Sequence, residues 1–205
     1  VTREVLGEPA LLPSLRPRRD VRGLGLSDAE AYAGPLARKF DYENTYFHKA
    51  PRLDITAIDP ARAGRYDFVI ASDVFEHVAP PVARAFENAR RLLRPGGKLI
   101  FTVPFEHEGE PVEHFPELHD WTLAEHAGRW TLTNVTRDGV TQTFDDLVFH
   151  GGPGSTLEMR VFSRSSVARA FIDAGFSRVR YADDTWLPFG IHWPEPWSVP
   201  IVAYA

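Results

Sequence analysis

The chain has 205 residues, of which 43% are hydrophobic, and its formal net charge is −5. This length and composition predict one domain with a full core, and the negative balance makes nucleic acid an unfavourable partner. The sequence has neither an apolar run of the ~20 residues that cross a bilayer nor a charged and then apolar leader, so we expect a soluble, cytoplasmic protein without a membrane partner. Because cysteine is absent, disulfides, thiolate catalysis and cysteine-ligated zinc are excluded.

The first twenty residues differ in amino-acid composition from the rest of the chain. They carry mixed charge and three prolines, Pro9, Pro13 and Pro17, which interrupt regular structure. We therefore interpret residues 1–20 as an N-terminal arm and residues 21–205 as a single domain.

The domain begins with an alternation of strand and helix signals. Residues 21–28 predict a strand that runs into a glycine turn, and the alanine-rich residues 29–40 predict a helix. Two segments with aromatic and β-branched character, 42–47 and 53–58, are the candidate second and third strands. This order is typical of an α/β fold.

The middle of the chain predicts a strand, a helix and a second strand. Residues 68–70 form a short apolar run of the kind that is buried in a parallel sheet. From Pro81 apolar residues recur at helical spacing, and the turn at residues 95–97 ends that helix. Residues 98–103 then predict another buried strand.

Polar residues follow the first of these two strands directly. Asp73, Glu76 and His77 come after residues 68–70. Open parallel sheets bind ligands beyond the carboxyl ends of their strands, so these side chains are expected at a ligand-facing edge.

The amino-acid composition changes after the predicted fifth strand. Residues 106–157 are polar, aromatic and histidine-rich, and Asp138-Gly139 between two strand-like runs predicts a β-hairpin. A serine-capped helix at residues 163–174 and terminal strands at 178–181 and 199–204 follow. We therefore expect an inserted hairpin and loop region at about 106–157.

Four segments together resemble class I S-adenosylmethionine-dependent methyltransferases: residues 66–78, 92–99, 161–167 and 174–176. The resemblance extends from about residue 21 to residue 205. It implies a doubly wound, mostly parallel seven-stranded sheet with helices on both faces, and S-adenosylmethionine as the cofactor.

The resemblance also implies which residues contact the methyl donor. In this family a glycine-rich turn after the first strand approaches the donor, although here Arg22 precedes the first glycine and a serine replaces the third. Asp54 and Ile55 fit the position that faces the adenine, and capping is the alternative role for Asp54 and for Asp73. The full candidate set is Gly23, Gly25, Ser27, Asp28, Asn44, Asp54, Ile55 and Asp73.

The candidate catalytic residues are histidines. Transfer of a methyl group to a hydroxyl requires a base, and imidazole, with an ordinary pKa of about 6.5, acts as one near neutral pH. We favour His114, then His107, because both follow the fifth strand, and then His77. The alternative is that each is a structural histidine.

A divalent metal is a further option for the insertion. Glu113, His114, His119 and Asp120 supply mixed nitrogen and oxygen ligands within a short stretch.

The expected activity is O-methylation of a hydroxylated small molecule or a sugar-like acceptor. One alternative is a protein that binds S-adenosylmethionine without catalysis, because the glycine turn is irregular. A nicotinamide-dependent dehydrogenase is the other, but the spacing of its glycine fingerprint is missing.

Overall fold

The computed structural model describes residues 1–106, 109–195, 197 and 199–205. In these ranges the α-helices are α1 (Thr2–Leu6), α2 (Glu30–Lys39), α3 (Ala83–Leu92) and α4 (Arg164–Asp173). The strands are β1 (Arg18–Leu26), β2 (Phe40–Thr45), β3 (Tyr66–Ser72), β4 (Leu93–Thr102), β5 (Phe105–Glu106), β6 (Val112–Glu113), β7 (Asp120–His126), β8 (Arg129–Val135), β9 (Thr141–Phe144), β10 (Phe149–His150), β11 (Thr156–Leu157), β12 (Arg160–Ser163), β13 (Arg178–Tyr181) and β14 (Ile201–Tyr204).

The main sheet has the strand order β13-β14-β4-β3-β1-β2. Strands β1 to β4 pair in parallel, whereas β14 is antiparallel to both of its neighbours. The chain passes from β1 to β2 on one side and then returns to β3 on the other side of β1. The carboxyl ends of β1 and β3 therefore flank a topological switch point, where sheets of this type bind ligands.

The predicted third strand at residues 53–58 is wrong. This segment forms turns and coil, because Oδ1 of Asp54 accepts hydrogen bonds from the backbone nitrogen and the hydroxyl of Thr56, at 2.9 and 2.7 Å. Leu53 and Ile55, whose apolar character indicated a strand, are buried in the core from this turn instead. With six strands in the main sheet and four α-helices among the described residues, a mixed α/β fold is confirmed, but the doubly wound seven-stranded sheet is not.

Alternate residues of β3 contribute to different hydrophobic clusters, as the two-residue period of a strand requires. Phe68 and Ile70 pack in the cluster that includes Leu36 of α2. Val69 and Ala71 belong to the larger cluster, which includes side chains from α3 and α4. Strand β3 is thus packed against a hydrophobic cluster on each of its two faces, and this packing holds its carboxyl end in place.

The region after β4 contains several short sheets. Strands β7, β8 and β9 form an antiparallel sheet in which β8 and β9 flank Asp138-Gly139, so the predicted hairpin is confirmed. A second sheet has the order β5-β12-β6. No helix in the described ranges has the length and apolar composition to cross a membrane.

Candidate active site

Two residues at the switch point adopt an unusual backbone conformation. Ser27 follows β1 with φ 60° and Asp73 follows β3 with φ 52°. Left-handed backbone is uncommon for residues other than glycine and clusters at functional sites. The ends of β1 and β3 are therefore the first candidate for a ligand-binding edge.

The turn after β1 is held by Asn44 of β2. The side-chain oxygen of Asn44 accepts from the backbone nitrogen of Asp28 at 3.0 Å, and its nitrogen donates to the Asp28 carbonyl at 2.9 Å. The structure thus gives Asn44 the role of fastening the turn.

The Asp28 side chain points into the protein rather than toward solvent. Its carboxylate accepts hydrogen bonds from the hydroxyls of Tyr42 and Tyr32 and is only 4% exposed. Burial raises the pKa of Asp28 to about 6, although both tyrosine hydroxyls act in the opposite direction.

The two glycines of β1 are required by packing. A Cβ atom on Gly25 would overlap the Tyr42 hydroxyl and lie 2.5 Å from Oδ2 of Asp28. A Cβ on Gly23 would overlap the Phe68 ring. These close approaches give a packing reason for glycine at both positions, and contact with the methyl donor stays a prediction.

Asp73 is the exposed acidic group at the switch point. Its backbone nitrogen donates to the Thr102 carbonyl at 2.9 Å, and the Thr102 hydroxyl donates to Oδ1 at 3.1 Å. The Ser72 hydroxyl donates to Oδ2 at 3.3 Å.

Asp54 and Ile55, the predicted adenine-facing residues, lie in the turn after β2. Asp54 caps this turn, and the carbonyl of Ile55 accepts a hydrogen bond from Asn88 at 2.8 Å.

A second group of polar residues forms where the insertion folds back onto the turn after β3. The backbone nitrogen of Met159 donates to the Glu76 carbonyl at 2.8 Å. Arg160, which is 1% exposed, donates to the Phe75 carbonyl at 2.7 Å and forms a 2.6 Å ion pair with Glu113. These contacts fasten the segments that carry His114 and Glu158 to the turn that carries Glu76.

Glu158 links two histidines. Its Oε1 lies 2.8 Å from Nε2 of His114, and its Oε2 lies 2.8 Å from Nε2 of His150. Because a carboxylate accepts, each Nε2 carries the proton, and Nδ1 of each neutral ring keeps its lone pair. His114 thus donates from Nε2 to a carboxylate, and its Nδ1 has no hydrogen-bond partner among the described residues.

Glu76 and His77 lie beside this pair. The Glu76 side chain is 1% exposed, and neither of its carboxylate oxygens has a hydrogen-bond partner among the described residues. Burial, with the charges of Asp73 and Glu158 adding to it, raises the pKa of Glu76 to about 8. Burial also lowers the pKa of His77, whose Nδ1 lies 2.9 Å from the Leu157 carbonyl.

The structure brings together His77 and His114 of the three predicted catalytic histidines, and His107 lies outside the described residues. The predicted metal group does not assemble. Glu113 pairs with Arg160, and both His119 and Asp120 are exposed.

Sequence reasoning missed His150 and Glu158. Neither belongs to a motif with recognisable spacing, because they reach His114 only when the insertion folds back. The one signal available was the abundance of histidine in the insertion.

A profile of the methyltransferase domain family matches residues 16–181. Among curated proteins, the highly reducing polyketide synthase PKS6 of Gibberella zeae is 32% identical over 123 residues, which are 58% of this chain and 5% of that protein. This chain therefore corresponds to a small part of that relative's length.

Solved structures share the fold. The CurJ carbon methyltransferase superposes with a TM-score of 0.53 at 16% identity, covering 95% of this chain and 50% of that one. The sugar N-methyltransferase KedS8 of Streptoalloteichus gives a TM-score of 0.52 at 14% identity, covering 94% of this chain and 81% of that one. Because the profile covers most of the length and the fold agrees with it, the chain belongs to the class I S-adenosylmethionine-dependent methyltransferases.

Proposed function

We propose that this methyltransferase transfers the methyl group to a carbon atom next to the carbonyl of a small molecule, with His114 as the general base. The observation that carries the assignment of the base is the His114–Glu158 hydrogen bond at 2.8 Å, which leaves Nδ1 of His114 available to accept a proton. His114 is partly exposed, so it is accessible to a bound acceptor.

The switch point has features that fit the methyl donor. S-adenosylmethionine carries positive charge on its sulfonium and its amino group, and Asp73 presents an exposed carboxylate there. The oxygens of Asp73 accept hydrogen bonds from Thr102 and Ser72 and retain further lone pairs. We therefore assign Asp73 to the cationic end of the donor and the left-handed turn at Ser27 to its neighbourhood.

The chemistry divides between donor and protein. When it is bound, S-adenosylmethionine supplies an electrophilic methyl group, and its sulfur keeps the electron pair of the broken carbon–sulfur bond. Nδ1 of His114 takes the proton from the acceptor carbon, so that the electron pair left on that carbon forms the new carbon–carbon bond. Glu158 stabilises the resulting imidazolium, and a general base of this kind contributes typically 10² to 10⁴-fold in rate.

Similarity to a polyketide synthase supports a carbon acceptor, because a polyketide chain carries carbonyl groups, and the carbon next to a carbonyl loses a proton more readily than an ordinary carbon. O-methylation of a hydroxylated small molecule or sugar is the second candidate, because the same His114–Glu158 pair would remove a hydroxyl proton.

The test is to supply S-adenosylmethionine with a ¹³C-labelled methyl group together with a β-keto thioester or a hydroxylated sugar. We expect a carbon-bound methyl signal by NMR with the thioester, with release of S-adenosylhomocysteine. An oxygen-bound methyl signal with either acceptor would overturn the assignment to carbon and support the second candidate.

A further inference from the structure

The Glu76 carboxylate is the most unusual polar group in the described part of the chain. It is 1% exposed, and both of its oxygens lack hydrogen-bond partners among the described residues. A buried carboxyl group without a partner is unfavourable in either protonation state, because buried polar groups in native proteins are hydrogen-bonded or coordinate a metal. The two unpartnered oxygens of Glu76 therefore indicate that this side chain binds a ligand.

Two imidazole nitrogens face the same oxygen. Nε2 of His77 lies 3.7 Å from Oε1 of Glu76, and Nδ1 of His150 lies 3.9 Å from it. The two rings are perpendicular, with centroids 4.7 Å apart. These separations are too long for hydrogen bonds. They are close to the roughly 3.4 Å that separates neighbouring ligand atoms around a tetrahedral zinc ion with bonds of about 2.0–2.2 Å.

The protonation pattern leaves these two nitrogens free to bind a cation. The Leu157 carbonyl accepts the proton on Nδ1 of His77, so Nε2 keeps its lone pair. Glu158 accepts the proton on Nε2 of His150, so Nδ1 keeps its lone pair. Metal-ligating histidines almost always donate their other ring N–H to a carbonyl or a carboxylate in this way.

The donor set selects the class of cation. Two imidazoles and one carboxylate suit zinc and other first-row transition metals, whereas magnesium prefers oxygen ligands and water. Three protein ligands also leave a fourth tetrahedral position open, as in catalytic zinc sites.

We propose that Glu76, His77 and His150 bind one divalent transition-metal ion of the zinc class. His114 and Glu158 are not metal ligands. Glu158 orients the His150 ring through a hydrogen bond, and His114 in turn orients Glu158. The open fourth position suits an oxygen atom of the methyl acceptor, and this part of the inference rests on the proposed function. The metal site itself does not depend on the proposed function.

The experiment uses cobalt as a spectroscopic substitute for zinc, without donor or acceptor, so its result is independent of the methyl acceptor. Chelator-treated protein is titrated with Co²⁺, and we expect visible absorption that saturates at one equivalent and is displaced by Zn²⁺ but not by Mg²⁺. Glu76→Gln and His150→Ala should each weaken Co²⁺ binding roughly 100-fold or more, and Glu158→Gln about 10 to 100-fold.

The matched control is His126→Ala, which removes an exposed histidine of the β7–β8 hairpin and should leave the titration unchanged. Circular dichroism of each variant verifies its fold, and Glu76→Gln preserves side-chain shape if His150→Ala does not fold. Absence of saturable Co²⁺ absorption in the wild type would overturn the proposal, and so would equal binding in Glu76→Gln and His126→Ala.

Discussion

His114 and Glu158, which are 44 positions apart in the sequence, are joined by a hydrogen bond of 2.8 Å. The second oxygen of the same carboxylate binds His150, so one acidic side chain orients two imidazoles with different assigned roles. We assign proton transfer to His114 and cation binding to His150. The two roles are separable by experiment, because each has its own substitution and its own measurement.

Substitution Asp73→Asn should weaken binding of S-adenosylmethionine about tenfold or more, because it removes the exposed carboxylate at the switch point. A hydrogen bond or ion pair to a charged group contributes about 1.5–3 kcal/mol, and about 1.4 kcal/mol already corresponds to a tenfold change in the dissociation constant. The loss should be smaller for S-adenosylhomocysteine, which lacks the sulfonium charge. Calorimetric titration of both ligands checks this.

Asp138→Asn, which alters the acidic residue of the hairpin turn, is the control and should bind both ligands as the wild type does. Equal affinity of Asp73→Asn and the wild type for both ligands would remove Asp73 from the donor site.

Substitution Glu113→Ala should lower the free energy of unfolding by about 3 kcal/mol, because it leaves the buried Arg160 guanidinium without its ionic partner. Chemical denaturation measures this change. Glu87→Ala, on the exposed side of α3, should change the stability by less than about 0.5 kcal/mol. If both variants lose the same small amount, Arg160 does not depend on Glu113 for its charge balance.

The sequence predicted the local elements better than the contacts between them. Strand β3 and helix α3 follow from apolar spacing that lies within the segment itself. Residues 53–58 were predicted as a strand from the same kind of pattern, but Asp54 forms a turn with Thr56, and burial of Ile55 explains its apolar character without a strand.

The candidate site shows the same division. Asp73 and His77 follow a strand directly, so the rule that ligands bind at strand ends indicated them. The contact between His150 and Glu158 depends on how the insertion folds back, and no local pattern records it. Family resemblance assigns Gly23 and Gly25 to the donor, and this stays a prediction; the neighbouring Phe68 ring and Tyr42 hydroxyl give a separate packing reason for glycine at both positions.

The buried Asp28 should make the stability depend on pH in a distinctive direction. Burial raises its pKa from 3.8 to about 6, so between these values the folded state binds more protons than the unfolded state. The contribution of Asp28 to the free energy of unfolding is therefore largest below pH 4 and is lost as the pH rises through 6. The loss is at most roughly 3 kcal/mol.

Denaturation of the wild type and Asp28→Asn at a series of pH values measures this contribution as a difference. We expect the stability of the variant relative to the wild type to increase from pH 4 to pH 7. Parallel stability curves for the two proteins would show that Asp28 does not titrate with a raised pKa.

The most direct test of the catalytic account is the rate of the methyl-transfer step in a single turnover, followed by rapid quenching of wild type, His114→Ala and the exposed-site control His119→Ala. We predict that His114→Ala slows the step about 10² to 10⁴-fold without changing donor affinity, and that added imidazole restores part of the rate. His119→Ala should match the wild type. An unchanged rate in His114→Ala, with an acceptor that the wild type methylates, would contradict the assignment of His114 as the base.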